Sequence, residues 1–348
     1  MPNVRWLLVL LLAGALAGFL FYTARLTRLG PPLESPVVPG PALALTQSGQ
    51  CKECHSQIYA EWQSDQHATA WSGDDFKTFT VNYTRDECLA CHAPRPMLES
   101  GLTSNEPKLR ASQRSDGVDC LACHMKNGKS HGTLGSRAVC GGILEPALKT
   151  AQACYHCHAS HNLFKEYLAS DYAKRGVTCQ DCHMEQVIRP VADGGKPRAT
   201  RKHFFHAGGH DAEALKKVLQ LDLDVKAQSV TVTVTNVGAA HGVPGEINNR
   251  VIRLIVAVLE FKPGDPAAGP GKGTWQEVVA YRAFFQAPPR KLRDKVPSTQ
   301  ILPGEPRVAS YELPIPNGKV VATLEYMLEK DTMLWTDATL MATAECSF

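Results

Sequence analysis

The chain has 348 residues, of which 44% are hydrophobic and 20% are charged, and its formal net charge at pH 7 is +3. So small a charge gives no argument for binding nucleic acid. The sequence also lacks a nucleotide-binding glycine loop, a nucleophile elbow and a zinc-protease motif, which excludes the enzyme classes built on them. Its twelve cysteines and thirteen histidines are the informative part of the composition.

The chain opens with a predicted membrane anchor, residues 1–28. Trp6–Tyr22 is an uncharged apolar run of 17 residues, at the lower edge of what spans a bilayer. Ala15-Leu16-Ala17 resembles a signal-peptide cleavage site, but the run stays apolar as far as Tyr22, which favours an uncleaved signal-anchor. Residues 29–47 are rich in proline and glycine and predict an extended linker.

Residues 48–215 carry the sequence Cys-x-x-Cys-His five times. In each copy the two thiols have the separation that lets them bond covalently to one haem, and the next histidine supplies the proximal ligand to the iron. The pattern therefore predicts five haem c groups. The haem-attaching cysteines are Cys51, Cys54, Cys88, Cys91, Cys120, Cys123, Cys154, Cys157, Cys179 and Cys182. The predicted proximal ligands are His55, His92, His124, His158 and His183.

Zinc sites or redox dithiols are the alternative reading of Cys-x-x-Cys. Ten motif cysteines would make two and a half four-thiolate zinc sites, and the histidine after every second cysteine would be unexplained. Only Cys140 and Cys346 remain for other work, either as free thiols or as a bridge in an oxidising compartment.

Haem attachment also sets the expected location. In bacteria this reaction takes place outside the cytoplasmic membrane, so we predict a cytoplasmic-membrane protein whose bulk faces the periplasm. One arginine precedes the apolar run and two follow it, so the positive-inside count does not favour this orientation, and the haem chemistry decides it.

The five motifs lie too close together for a conventional apolar core around each one. Successive motif histidines are 37, 32, 34 and 25 residues apart. We therefore expect the haems themselves to form the core of a mainly helical and irregular domain. Amphipathic helices are predicted over Ile58–Trp71 and Leu163–Lys174, with loops over much of the rest.

From residue 216 to 348 the hydrophobic pattern changes to a period of two. Leu219–Val225 and Val230–Val234 alternate with polar residues, which predicts two strands. Proline and glycine clusters separate further predicted strands at Val251–Phe261, Trp275–Phe285, Arg307–Leu313 and Val320–Met327. Such a region is typical of an all-β, sandwich-like domain.

The second axial ligand of each iron decides between electron transfer and catalysis, because a filled position blocks substrate and an open one admits it. Eight histidines remain outside the proximal positions, enough for mostly bis-histidine haems. His156 lies inside its own motif and is suited only to a neighbouring haem, and His210 belongs to the same cluster as His203 and His206. The candidate distal ligands are His67, His131, His161, His203, His206 and His241.

Several segments resemble the multihaem cytochrome c-554 and hydroxylamine oxidoreductase-like group. They include Cys51-Lys-Glu-Cys-His55 followed by Glu61-Trp62, Ser64 and His67, and also Gly117–Cys120, Gly176–Met184 and Asn236–Gly245. The resemblance implies that His67 ligates a haem other than the one it follows, and that paired haems stack into a relay. The chain departs from the group in having five motifs. Leu163–Tyr172 looks like a second copy of the Glu-Trp-Ser-His segment, with Tyr172 near the place of His67.

We therefore predict a membrane-anchored pentahaem cytochrome that carries electrons between a membrane donor and a periplasmic or outer redox partner. One alternative is an oxidoreductase acting on a small nitrogen or sulfur compound at a five-coordinate haem, for which His92 is the candidate. Another is a haem subunit of a larger redox complex or of a cytochrome filament.

Overall fold

The computed structural model describes residues 44–100, 102, 107–135, 139–159, 162–205, 211–245, 250–264, 273–287, 295, 297–329 and 335–348. The predicted anchor at residues 1–28 and most of the linker lie outside these ranges. Within them, no helix combines the length and the apolar character needed to cross a membrane.

Short helices dominate the part of the chain that carries the motifs. In chain order the α-helices are α1 (Ser56–Gln63), α2 (Asp74–Phe79), α3 (Asp86–His92), α4 (Met97–Ser100), α5 (Cys120–His124), α6 (Gln152–His158), α7 (Leu163–Ala169), α8 (Asp171–Lys174), α9 (Cys179–His183) and α10 (Ala212–Leu215). Short 3-10 helices occupy Ser48–Glu53, Arg114–Asp116 and Pro146–Lys149. Helices α3, α5, α6 and α9 each end at a motif histidine, so four motifs lie on helical turns.

Both predicted amphipathic helices form, but they are shorter or divided. Helix α1 ends at Gln63, because the Asp65 side chain accepts a hydrogen bond from the His67 backbone N–H at 2.8 Å and competes with the helical pattern. The second segment divides into α7 and α8 at Ser170, whose hydroxyl caps α8 by accepting from the Ala173 N–H.

The C-terminal part of the chain is all-β. Its strands are β6 (Leu219–Lys226), β7 (Ser229–Asn236), β8 (Arg250–Pro263), β9 (Gly273–Phe285), β10 (Arg307–Glu312), β11 (Lys319–Glu329) and β12 (Trp335–Ser347). They form a three-stranded sheet in the order β10-β7-β6 and a four-stranded sheet in the order β12-β11-β8-β9, with every pairing antiparallel. The six strands predicted from periodicity are thus confirmed.

The alternating residues of the two sheets share one hydrophobic core, as in a sandwich. Val230, Val232 and Val234 of β7 are at most 1% exposed and belong to the same cluster as Leu254 of β8 and Leu324 of β11. Burial of one face and solvation of the other fixes the strand register, because a shift by one residue would expose the whole apolar row.

The motif-bearing part contains two small sheets in addition to its helices. Strands β1 (Met125–Lys126), β2 (Lys129–Gly132) and β3 (Ile143–Leu144) form one sheet directly after the third motif. Strands β4 (Gln186–Arg189) and β5 (Arg198–Arg201) form a hairpin after the fifth motif. The predicted division into domains at residues 48–215 and 216–348 remains a prediction.

Candidate haem sites

Five candidate ligand histidines direct the ring nitrogen Nδ1 at a backbone carbonyl oxygen. The pairs are His55 with Val191 (2.6 Å), His92 with Ala70 (2.6 Å), His124 with His131 (2.7 Å), His203 with Arg201 (3.2 Å) and His241 with Gly242 (3.0 Å). A carbonyl oxygen only accepts hydrogen bonds, so Nδ1 carries the proton. In a neutral ring, Nε2 then keeps its lone pair for a metal ion.

Burial keeps four of these rings neutral. It lowers the pKa of His92, His124 and His241 below the ordinary histidine value, and it lowers the pKa of His203 to about 4. Iron binds the neutral imidazole, and a hydrogen bond from the far ring nitrogen fixes the orientation of the ligand. The protonation state and the orientation of these rings therefore both suit axial ligands.

Three pairs of histidine rings lie at nearly the same separation. The ring centroids are 6.3 Å apart for His67 and His158, 6.1 Å for His124 and His203, and 6.3 Å for His183 and His241. An imidazole nitrogen binds a transition metal at about 2 Å and the ring centroid lies about 1 Å behind it, so two ligands on opposite sides of one iron have centroids about 6 Å apart. Each pair joins one motif histidine to one candidate distal ligand and fits the two axial ligands of one haem.

The candidate distal ligands come from distant parts of the chain. His67 follows the first motif, yet its ring lies beside His158 of the fourth. His203 follows β5 and lies beside the third motif. His241 belongs to the turn after β7, so a residue of the all-β part of the chain, residues 216–348 (the β-domain), lies beside the fifth motif.

Carboxylates hold these three ligand segments in place. Asp65 Oδ1 accepts hydrogen bonds from the backbone N–H and Nδ1 of His67. Glu61 Oε2 accepts from the His203 backbone N–H at 2.8 Å. Glu166 Oε2 accepts from the Gly242 N–H, next to His241, at 2.7 Å. The sequence did not reveal these carboxylates, because Glu61 and Glu166 are 142 and 76 residues away from the segments they contact. Only Asp65, two residues before His67, is close in sequence to the segment that it holds.

Two stretches of the motif-bearing part make matching contacts. In the first stretch, Trp62 Nε1 donates to the Val118 carbonyl oxygen at 2.9 Å. In the second, the Tyr167 hydroxyl donates to the Val177 carbonyl oxygen at 3.0 Å. In the sequence, one donor directly follows Glu61 and the other directly follows Glu166. Each acceptor lies two residues before a motif. The relation of the first motif to the third therefore repeats between the fourth and the fifth.

Tyr172 differs from its counterpart in this repeat. It lies six residues after Glu166, as His67 lies six residues after Glu61. The Tyr172 hydroxyl donates to the Val237 carbonyl oxygen at 2.7 Å, so this side chain connects α8 to the β-domain.

The motif cysteines also bring the motifs together. Thiols from different motifs are hydrogen-bond partners in three pairs: Cys51 with Cys120, Cys91 with Cys157, and Cys154 with Cys179. The first motif thus touches the third, and the fourth touches both the second and the fifth. Because these sulfurs are the predicted attachment points, the edges of the attached groups would be neighbours.

Two motif histidines have no such ring partner among the residues that the structure describes. These are His55 and His92. The His92 ring stacks on Phe76 with centroids 3.7 Å apart and planes 9° from parallel. Phe76 is buried and belongs to an aromatic cluster with Trp71 and Tyr83. The surroundings of the second motif are therefore apolar.

His131 and His156 each have a buried ring nitrogen without a hydrogen bond. For His131 this atom is Nδ1, and Glu145 Oε2 lies 3.9 Å from it, within ion-pair reach but too far for a hydrogen bond. His156 is 8% exposed and its Nε2 is also unpartnered. His161 and His206 lie outside the described residues.

The other two cysteines are free thiols. The Ser130 hydroxyl donates to Cys140 Sγ at 3.3 Å, whereas Cys346 lies on β12 opposite Val320. The structure does not join them in a bridge.

Comparison with known proteins supports the haem interpretation. A family model described as cytochrome c554 and c-prime matches residues 50–125, which contain the first three motifs. A penta-heme cytochrome c552 from Thermochromatium tepidum is 20% identical in sequence, covers 89% of this chain and 100% of its own, and superposes with a TM-score of 0.57. The chain is a multihaem c-type cytochrome. Like others of that class, the cytochrome binds haem c covalently.

Other matches are weaker. An oxidised superoxide reductase is 17% identical and covers 38% of the cytochrome and 86% of its own chain, with a TM-score of 0.20. A superoxide reductase from Nanoarchaeum equitans is 14% identical and covers 38% and 92%, with a TM-score of 0.19. Scores this low carry no argument about the fold. No curated protein matches the cytochrome significantly.

Proposed function

We propose that the cytochrome is a pentahaem electron carrier, anchored in the bacterial cytoplasmic membrane, that connects a membrane donor to a periplasmic or outer redox partner. The observation that carries this proposal is the set of three histidine ring pairs 6.1–6.3 Å apart. A motif histidine with a second histidine opposite leaves no open position for a substrate at that iron. We also propose that the cytochrome belongs to the cytochrome c-554 and hydroxylamine oxidoreductase-like group that its first motif resembles.

Haem c, once attached, supplies reversible one-electron chemistry at its iron. The chain supplies attachment, ligation and position. The contacts of Cys51 with Cys120, of Cys91 with Cys157 and of Cys154 with Cys179 support a continuous arrangement of attachment points. Cys123 of the third motif lies close enough to Cys154 and Cys157 to contribute to the raised pKa of both free thiols, so the third motif is a neighbour of the fourth. The fourth motif is then the junction of the relay.

A second function is supported at the second motif. His92 has no second histidine ring opposite it in the described part of the chain, and the buried Phe76 ring stacks on its face. An open sixth position there would make the cytochrome an oxidoreductase acting on a small nitrogen or sulfur compound.

Low-temperature EPR and visible spectroscopy of the membrane-extracted holoprotein separate the two functions. The samples are oxidised or dithionite-reduced, with and without cyanide or nitrite. The carrier predicts five low-spin haems that ignore added ligands. One high-spin haem that binds cyanide, and that changes when His92 neighbours such as Phe76 are replaced, supports the oxidoreductase instead.

A further inference from the structure

Asp65 is a buried carboxylate directly beside a candidate haem ligand. The residue is 2% exposed. Its Oδ1 accepts from His67 Nδ1 at 3.0 Å and from the His67 backbone N–H at 2.8 Å, and its Oδ2 accepts from the Phe205 N–H at 2.8 Å. The two oxygens therefore hold the ligand ring and also tie α1 to the segment that carries His203.

This environment differs from that of the other candidate ligands. The Nδ1 atoms of His55, His92, His124, His203 and His241 point at neutral backbone carbonyl oxygens. Among these five rings and that of His67, the His67 ring alone donates to a carboxylate. The same hydrogen bond that orients the ring thus also places a full negative charge next to it.

Among the described residues, neither a lysine nor an arginine lies within ion-pair distance of Asp65. Asp119 is similarly buried, but Arg110 lies 2.7 Å from it, and Glu61 is paired with Arg189. Asp65 Oδ1 accepts two hydrogen bonds and Oδ2 accepts one, all from N–H donors, and such bonds favour the ionised carboxylate over the protonated acid. The carboxylate is therefore ionised at neutral pH.

A fixed negative charge in a poorly solvated site favours the more positive state of a nearby metal ion. A carboxylate on the far nitrogen also raises the basicity of the ligating nitrogen. Both effects favour ferric over ferrous iron. The rings whose Nδ1 donates to a neutral backbone carbonyl oxygen have no such charge beside them. The effect is therefore specific to the ligand pair that contains His67.

We propose that Asp65 is a positioning residue that lowers the reduction potential of the haem ligated by His158 and His67. The inference rests on the proposed function, in which these two histidines share one haem. Since the fourth motif touches the second and the fifth through Cys157 and Cys154, Asp65 sets the potential at the junction of the relay.

The test is a spectroelectrochemical titration of full-length holoprotein variants with EPR of each oxidised sample. Asp65→Asn keeps an oxygen acceptor for His67 Nδ1 and removes the charge. We expect every haem to keep its spin state and one haem to become at least tenfold easier to reduce at a given potential, which is about 59 mV for a one-electron couple. His67→Ala identifies the haem concerned, because its low-spin signal is lost.

Asp74→Asn is the matched control, since it removes one negative charge from a side chain that is 89% exposed. It is expected to leave all potentials unchanged. If Asp65→Asn does not take up its full complement of haem, Asp65→Ser replaces it as a second neutral variant, while Asp65→Glu is expected to restore a potential near that of the wild type.

The outcomes separate the two proposals. If His67→Ala leaves every haem low-spin, the pairing of His67 with His158 is wrong and the inference falls with it. If His67→Ala creates one high-spin haem but the neutral variants leave its potential within error of the wild type, the ligation stands and the role of Asp65 is refuted.

Discussion

His241 offers the sharpest test of how the β-domain takes part in haem binding. Its ring is parallel within 11° to that of His183, with centroids 6.3 Å apart, and its Nδ1 is fixed by the Gly242 carbonyl oxygen. The substitution His241→Ala removes the ligand and nothing from the motif itself. We expect one haem of the predicted five to change from low-spin to high-spin.

Two hydrogen bonds between the β-domain and the motif-bearing part do not involve the His241 side chain. The hydrogen bond from the Gly242 N–H to Glu166 involves a charged group and contributes about 1.5–3 kcal/mol, and that from Tyr172 to the Val237 carbonyl oxygen contributes about 1 kcal/mol. Both survive the substitution. The β-domain should therefore stay docked, and the change should be confined to one iron.

The assay is quantitative EPR of the oxidised holoprotein, followed by a cyanide titration. About one fifth of the low-spin signal should disappear, and the new high-spin haem should bind one equivalent of cyanide. Tyr172→Phe is the control, because it removes an interdomain hydrogen bond without removing a ligand, and its spectrum should match the wild type. An unchanged low-spin signal in His241→Ala would refute the assignment of His241 as an axial ligand.

Two further predictions concern backbone conformation and the β-domain core. Gly117 has φ +62°, and a Cβ there would overlap the carbonyl oxygen of His67, so Gly117→Ala should displace the ligand and produce one high-spin haem by EPR. Gly176, its counterpart in the repeat, has φ +75° but nothing within 4 Å of a Cβ, so Gly176→Ala should cost only about 1–2 kcal/mol in denaturant unfolding and leave the spectrum intact. Leu254→Ala should lower the free energy of unfolding by about 2–5 kcal/mol, because Leu254 is 1% exposed in the sandwich core, while the haem spectra of the folded protein stay unchanged. Equal effects of the two glycine substitutions, or a spectral change in Leu254→Ala, would contradict these expectations.

Periodicity located the β-strands well, with one exception. Strands β6, β7 and β11 show apolar residues alternating with polar ones, a pattern that is visible without a structure. Strand β12 was missed, because alanine and threonine occupy six of the 13 positions of Trp335–Ser347 and its large apolar residues do not alternate with polar ones. Pairing with β11 along the whole strand stabilises β12, and this pairing is not visible in the sequence pattern.

The ends of the helices were predicted less well than the strands. The amphipathic pattern of Ile58–Trp71 continues past Gln63, where helix α1 ends. A hydrogen bond from the His67 backbone N–H to the Asp65 side chain competes with the helix at that end, and the same carboxylate contacts the His67 ring. Local pattern does not contain that information, since the partners that hold Asp65 include Phe205, 140 residues further along.

The sequence by itself determined the covalent chemistry of the cytochrome. Attachment of haem c needs two cysteines and a histidine within five residues, so the spacing at Cys51–His55 and its four repeats is a complete local signal. Only the tertiary structure decided which histidines face each other. His67 lies beside His158, and His241 beside His183. A second axial ligand would have to approach the far side of the iron, which the motif's own short helical turn does not reach. That ligand therefore comes from a segment whose distance along the chain carries no signal of its position in space.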